Sequence, residues 1–454
     1  MKKHIRLSTT KTIVLSYIGV ILLGGVLLTL PVMTADGQST GFLDALFTST
    51  SCVCVTGLVT LTTAVHWSTT GQMVILLLIQ TGGVGTASVL TLAYVLRKRK
   101  ISIHDRLLVA DAFNLDTMQG IVKFVLQLFK SMLIIELAGA VLYSFTFVPR
   151  YRLVKGIWYS VFHSVSAFCN AGIDILGESS LEAYAGSIPV NIITITLVIL
   201  GGLGFSTLWE LSQRISQSLH RNSGEKTERR PLSQHSKVVL TMTAILIAGG
   251  TVLFWIFEHH NSRTIGNLSV GYQVLECLFQ SVTTRTAGFA MFSQKYLTFP
   301  SVMLTIMLMF IGGSPGGTAG GIKTTTIAVV GMETVAVIRG ENDVSCFRRT
   351  VPRQVVRKAF AVLTISLAAA LISLAVMCLF QDGSAEDIAF EVFSALGTVG
   401  LSRDFTASLD SAGKMIIIVC MFIGRVGPIS VAVALSGSGR KAGLRYADGN
   451  ICVG

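Results

Sequence analysis

The stretch Thr398-Val399-Gly400-Leu401 sits in an apolar segment too short to cross a bilayer, between longer apolar segments. Three looser copies precede it: Val55-Thr56-Gly57-Leu58, Asn170-Ala171-Gly172-Ile173 and Thr286-Ala287-Gly288-Phe289. Their glycines are 115, 116 and 112 residues apart. A near-constant period over a whole chain marks internal repetition. Working outward from each copy gives one plan four times over. A long apolar segment comes first. A segment of about ten residues follows, half of the roughly 20 that a spanning helix needs. The copy comes next, and a second long apolar segment closes the unit.

In the first unit these segments are residues 12–30, 42–51 and 72–96. In the second they are 121–148, 158–168 and 190–211. The third has 238–257, 272–282 and a final helix from Val302 that is interrupted. The fourth has 359–380, 388–396 and 415–435. A second signature keeps the register. Each final segment carries a glycine cluster: Gly82-Gly83-Val84-Gly85, Gly201-Gly202-Leu203-Gly204, Gly312-Gly313-Ser314-Pro315 and Gly424-Arg425-Val426-Gly427. These begin 25, 29, 24 and 24 residues after the respective copy's glycine. Small residues there permit close helix packing or bending beneath the copies, and the two readings are compatible.

The 454 residues are 51% hydrophobic and 13% charged, where a soluble domain carries about 25% charged residues. This composition is that of an integral membrane protein. The net charge of +12 does not point to nucleic acid, because 24 of the 36 Lys and Arg lie in five clusters at segment ends. The clusters are Lys2, Lys3, Arg6, Lys11; Arg97 to Lys100 with Arg106; Arg214, Arg221, Lys226, Arg229, Arg230, Lys237; Arg339, Arg348, Arg349, Arg353, Arg357, Lys358; and Arg440, Lys441, Arg445. The positive-inside rule puts them, and both termini, in the cytoplasm. The intervening loops hold eight: Arg150, Arg152, Lys155, Arg263, Arg285, Lys295, Arg403 and Lys414. The basic, then apolar N-terminus is read as a retained first helix rather than a signal peptide. The eight cysteines are scattered, with no metal-ligand spacing, and are read as buried, inert thiols.

Thr-Val-Gly before a large apolar residue is how a potassium-channel selectivity filter begins. An ion leaving water loses its hydration shell, and inward-pointing backbone carbonyls replace it. Glycine supplies conformations that strain other residues, and glycine alone is shared by all four copies. The candidate ion-binding residues, with K+ at their carbonyls, are Val55, Thr56, Gly57; Asn170, Ala171, Gly172; Thr286, Ala287, Gly288; and Thr398, Val399, Gly400. The expected fold is an all-α membrane protein: four tandem helix–half-helix–filter–helix repeats, eight transmembrane helices, pseudo-fourfold around one pore. The repeats are 1–100, 101–216, 217–340 and 341–438, with a cytoplasmic tail at 439–454. Asp44, Glu276 and Glu391 fall early in three half-helices, toward the outer mouth; they concentrate cations there or pair with the helix dipole.

The interruption reads Gly312-Gly313-Ser314-Pro315-Gly316-Gly317-Thr318-Ala319-Gly320-Gly321-Ile322-Lys323. Six glycines and a proline cost several kcal/mol inside a helix, so a loop is expected, either a structural hinge or a gate across the pore. It is not a phosphate loop, because Ile322 separates Gly321 from Lys323 and no strand precedes it. Arg425 lies inside the last helix, where charge is expensive and marks function; it sets a barrier or is neutralised by a partner. Arg285 is expected behind the filter, against an acid. Glu136, mid-helix, makes a structural hydrogen bond or has a transport role.

These features resemble the TrkH/KtrB/HKT superfamily of potassium transporters over essentially the whole chain. The carriers are one glycine per filter copy, the Gly-rich break and Gly424-Arg425-Val426-Gly427-Pro428. Length and a short tail look most like the KtrB or KtrD membrane subunit of bacterial Ktr systems. The resemblance implies potassium uptake across the bacterial plasma membrane, often stimulated by sodium. It implies a homodimer, and a separate cytosolic regulatory ring (KtrA/KtrC-like) carrying the nucleotide, ATP/ADP or NAD(H), so that this chain holds no cofactor. It matches Gly57, Gly172, Gly288 and Gly400 to the filter glycines, 312–323 to an intramembrane gating loop and Arg425 to the arginine below the filter. Cys52 and Cys54 before the first copy, and Asn170 in the second, depart from the pattern. The other readings are a substrate-coupled cation symporter with alternating access, which also uses broken helices, and a non-conducting scaffold. Four glycines in register and only one clear break favour the channel-like reading.

Overall fold

Four times along the chain the same succession of helices recurs: one long and apolar, one short, then a pair divided by a break. The computed structural model describes residues 9–97, 106–110, 120–177, 179–220 and 231–436. Lys2, Lys3, Arg6, Lys98 to Lys100, Arg221, Lys226, Arg229, Arg230 and the expected tail at 439–454 lie outside them. The first succession is α1 (Thr9–Leu28), α2 (Phe42–Cys54), α3 (Thr69–Val84) and α4 (Thr86–Leu96). The second is α5 (Ile121–Tyr151), α6 (Leu153–Phe168), α7 (Ile188–Gly202) and α8 (Phe205–His220). The third is α9 (Gln234–Glu258), α10 (Val270–Thr283), α11 (Phe299–Phe310) and α12 (Thr324–Ile338). The fourth is α13 (Arg353–Phe380), α14 (Ala385–Gly397), α15 (Ser411–Val426) and α16 (Pro428–Ser436).

Helix starts follow local chemistry. Ser68, Ser233, Ser384 and Asp410 cap α3, α9, α14 and α15 by accepting the backbone N–H three residues on. Pro189 and Pro300 open α7 and α11, where the missing N–H costs nothing. The chain is not wholly helical: Ser345–Cys346 pairs antiparallel with Arg349–Thr350. The tight turn is possible because Phe347 and Arg348 both take positive φ.

Among the described residues four helices, α1, α5, α9 and α13, are long and apolar enough to cross a membrane alone, and up to six spans result if each of two bent pairs counts as one. These long helices lie outermost, exposing residues such as Leu23, Leu137 and Leu379. The short helices run into the middle, where α2 from Phe47 to Cys54 and α6 from Phe162 to Phe168 are buried on every side. Long and short helices touch through a notch. Ser49, Ser164 and Ser281 sit against Gly24, Gly139 and Gly250 and donate to the carbonyls of Ile21, Glu136 and Ile247 (2.8, 2.6 and 2.9 Å). Any side chain on those glycines would strike the hydroxyl.

Two expectations need correction. The interruption was expected in one unit only, yet every final segment is broken. The chain turns by 98° between α3 and α4 and by 109° between α7 and α8. Gly85, Gly204 and Gly427 have φ of 86°, 86° and 93°, the left-handed side on which a right-handed helix cannot continue. The cysteines, too, are not all buried. Cys378 is exposed and Cys346 half-buried, while Cys52, Cys54, Cys169, Cys277 and Cys420 are buried. Cys378 lies on the outward face of α13 and Cys346 in the hairpin, neither of which packs inside.

Candidate functional site

Each short helix delivers its chain into the centre by the same backbone device. Val55, Asn170, Thr286 and Thr398 have φ of 56°, 59°, 74° and 50°, and two residues on Gly57, Gly172, Gly288 and Gly400 have 98°, 64°, 78° and 94°. Positive φ at β-branched Val and Thr is an outlier that costs about 1–2 kcal/mol each. Such strain persists only where surrounding structure imposes it, and it clusters at functional sites.

The four turns face one another. A side-chain carbon added to Gly57 would lie 2.6 Å from the Ala171 carbonyl oxygen; at Gly172, 2.6 Å from that of Ala287; at Gly288, 2.5 Å from that of Val399. At Gly400 it would collide with the carbonyl of Thr56. The contacts run in chain order and close on themselves. All twelve candidate residues are brought together here, and the eight that carry side chains are buried. Among the described residues no donor reaches the carbonyl oxygens of Thr56, Ala171, Ala287 or Val399. Buried carbonyls are nearly always paired; a ring of unpaired ones is able to coordinate a desolvated cation.

Hydroxyls brace the turns. Ser51 and Ser394 accept the N–H of Gly57 (3.0 Å) and Gly400 (3.1 Å). Ser166 and Thr283 instead donate to the carbonyls of Ile173 and Phe289, both at 2.6 Å. Sequence reasoning missed this set; its signal is a hydroxyl five or six positions before each glycine. The Asn170 amide points behind the turn: with its nitrogen facing them, it donates to the carbonyls of Ala167 (3.1 Å) and Val198 (3.2 Å).

The interruption at 312–323 is a loop of the third unit lying against the second and fourth. Its ends are zipped by Gly312 N–H to Ile322 O at 2.8 Å and Thr324 N–H to Gly313 O at 3.1 Å. Ser314 N–H donates to Gly202 O (2.9 Å), Phe205 N–H to Gly316 O (2.9 Å) and Thr318 Oγ1 to Phe168 O (3.2 Å). On the opposite side Gly320 packs on the Thr398 side chain and Gly321 on the Gly397 carbonyl. Gly313 abuts Ala319, Gly317 the Gly201 carbonyl and Gly204 the Pro315 carbonyl, which leaves no room for larger residues. Lys323 Nζ turns back to Ala319 O at 2.7 Å. Arg425 joins the remaining units: its guanidinium donates to Thr318 O in the loop, and to Gly82 O and Gly83 O of α3.

The charged residues differ from expectation. Glu276 and Glu391 do not stand at an open mouth; both are buried. Glu391 accepts from Ser402 (2.8 Å) and Thr406 (2.5 Å), and Glu276 lies 3.5 Å from Asn191. Folding of the return segment over α14 covers Glu391. Asp44 pairs with Lys414 at 2.6 Å. Arg285 is buried, but no described carboxylate pairs with it, because the turn after α10 packs it among neutral groups. Glu136 accepts from Gln80 Nε2 at 2.9 Å, tying α5 to α3.

The TrkH family of cation transport proteins matches residues 2–440. The chain is 39% identical to the potassium/sodium uptake protein NtpJ of Enterococcus hirae, over all of this chain and 99% of that one. It is 35% identical to the Ktr system potassium uptake protein B of Bacillus subtilis, over 100% and 98%. It is 30% identical to that organism's protein D, over 99% and 98%. The crystal structure of the potassium transporter TrkH from Vibrio parahaemolyticus superposes with a TM-score of 0.70 at 17% identity, over 95% of this chain and 86% of that one, a likeness of fold. The molecule is accordingly a multi-pass membrane protein.

Proposed function

Since the chain belongs to the TrkH family of cation transport proteins, we propose that it is the membrane subunit of a Ktr-type system that takes up potassium. K+ is the cargo, and it passes through the ring formed by Thr56-Gly57, Ala171-Gly172, Ala287-Gly288 and Val399-Gly400. The observation that carries this reading is the closed set of four carbonyls that no donor among the described residues reaches. The names of the relatives, potassium/sodium uptake protein and Ktr system potassium uptake protein, support the choice of ion.

In this reading each succession of helices is one repeat, with boundaries at 1–100, 101–216, 217–340 and 341–438. Each broken pair is one crossing, which makes eight crossings in pseudo-fourfold order around one pore. Both termini and the basic linkers face the cytoplasm of a bacterial cell. The loop at 312–323 is the gate, and Arg425 holds it shut through Thr318. A separate cytosolic nucleotide-binding ring moves it, two copies of this chain form the membrane unit, and sodium stimulates uptake. The loop's contacts support the gate: backbone bonds to the second unit, and an arginine of the fourth unit that holds both the loop and the first unit, are discrete, breakable links.

The test is paired potassium and sodium uptake into liposomes holding the purified protein. Gly288→Ser should lower the potassium-to-sodium ratio about tenfold, because a side chain there meets the Val399 carbonyl and alters the ligand ring. An unchanged ratio in this variant, and in the equivalent ones at Gly57, Gly172 and Gly400, would remove these residues from the ion path.

A further inference from the structure

The hairpin at 345–350 sits at the start of α9, whose Gln234 Nε2 donates to Cys346 O at 3.2 Å, and α10 begins beyond the opposite end of α9. At that end, between the end of α5, the segment entering α7 and the start of α10, lies an open cavity of about 560 Å³ lined by Thr146, Arg150, Tyr184, Ser187, Pro189 and Tyr272, among others. Its cation is built into an aromatic ladder. The Arg150 guanidinium stacks over the Tyr184 ring, 4.6 Å from the centroid, and lies 5.9 Å from that of Tyr151. Tyr184 Oη meets Tyr151 Oη at 3.1 Å. Tyr151 packs edge-on against Tyr159 at 4.9 Å, and Lys155 Nζ sits 5.4 Å over the Tyr159 ring. Arg150, Arg152 and Lys155 thus gather at one junction, and no described carboxylate pairs with any of them.

The surface beside this ladder is apolar and bare. Leu153 is 64% and Val154 83% exposed, between Arg152 and Lys155. Phe145, one turn back on α5, is 74% exposed. In water such an arrangement is unfavourable. At a membrane–water interface each part has a place: apolar residues in the acyl chains, tyrosines at headgroup level, cations on phosphates. A guanidinium stacked on a ring keeps its N–H edge free, and that edge matches the oxygens of a phosphate.

We propose that this cavity binds the headgroup of an anionic phospholipid. Arg150 from the cavity wall and Lys155 from beside it contact the phosphate, Thr146 and Ser187 lie within the headgroup cavity, and the acyl chains lie along Phe145 and the exposed face of α5. The site is independent of the ion path, so it stands whether or not the proposed transport reading does. On that reading it belongs to the outer leaflet, the side on which basic clusters are scarce.

The experiment uses the full chain purified in detergent, titrated with phosphatidylglycerol or phosphatidylethanolamine and read by native mass spectrometry. Arg150→Gln and Lys155→Gln are compared with Arg263→Gln, which removes an arginine stacked on Tyr296 at 5.9 Å instead. The parent and Arg263→Gln should retain phosphatidylglycerol over phosphatidylethanolamine. Arg150→Gln and Lys155→Gln should each weaken phosphatidylglycerol binding about fivefold, and the pair about twentyfold, at roughly one charge contact each. Glycerol phosphate without chains should not displace the lipid. Equal phosphatidylglycerol binding by the parent and the double variant overturns the proposal. So does displacement by glycerol phosphate alone, which would make this a free-phosphate site. A double variant that loses only its dimer, with lipid count unchanged, also overturns it and assigns the face to a second copy of the chain.

Discussion

The breaks at Gly85 and at 312–323 occupy equivalent places in their units, yet one takes a single residue and the other twelve. At Gly85 one positive φ turns the chain by 98° and the next helix starts at once. A side chain there would meet nothing nearer than the Tyr17 hydroxyl at 3.7 Å. At 312–323, Gly313, Gly317 and Gly321 abut backbone of the second or fourth unit, Gly320 abuts the Thr398 side chain and Gly312 the loop's own far end. A bend therefore needs one permissive residue. A segment lodged between two neighbouring units, as the proposed gate is, needs a run of residues without side chains and weak, separable bonds.

That contrast sets the expected experiments. Removing three or four residues between Gly316 and Gly321 should raise potassium flux without the cytosolic partner on the order of tenfold, a narrowing of the closed–open gap by about 1.4 kcal/mol. Unchanged flux in a folded variant would make the loop a packing hinge like Gly85. Arg425→Ala removes the bonds to Thr318, Gly82 and Gly83 and should raise the same flux about threefold to tenfold. Should Arg425→Lys fail to restore part of the closure, the guanidinium is not the clasp.

Stability should divide the glycines the same way. Gly204→Ala combines a φ of 86° with a collision at the Pro315 carbonyl and should cost about 3 kcal/mol in a detergent unfolding titration. Gly85→Ala has the same φ in open space and should cost about 1–2 kcal/mol. Gly331→Ala, helical with nothing near it, should stabilise by up to about 1 kcal/mol. Equal losses at Gly204 and Gly85 would mean the loop does not press on the second unit. Lys414→Gln, which cuts the half-buried pair with Asp44, should cost less than about 1 kcal/mol.

Much of this was legible in the sequence. The long and short helices could be placed from apolar segment length, since lipid fixes how long a crossing must be. The four glycines could be aligned because the period keeps them in register. The breaks at Gly85, Gly204 and Gly427 were not legible, because a glycine cluster that lets helices pack and one that bends a helix have the same composition. Only the sign of φ separates them. Glu391 was placed at an open mouth because its bonds come from Ser402 and Thr406, beyond the turn, where no periodicity brings the chain back. Arg285 was assigned an acid that the fold does not supply.

The closed ring carries a consequence for how the molecule is made. Its first and last quarters meet at three levels: Lys414 on Asp44, Gly400 on the Thr56 carbonyl, and Arg425 on Gly82 and Gly83. Synthesis runs from the amino end, so three quarters of the chain is in the bilayer before these seams exist. Throughout that interval the centre stands open on one side, with strained turns and bare carbonyls facing whatever fills the gap. Lipid cannot satisfy them. On the proposed reading, the last unit therefore seals the wall as well as adding its own quarter.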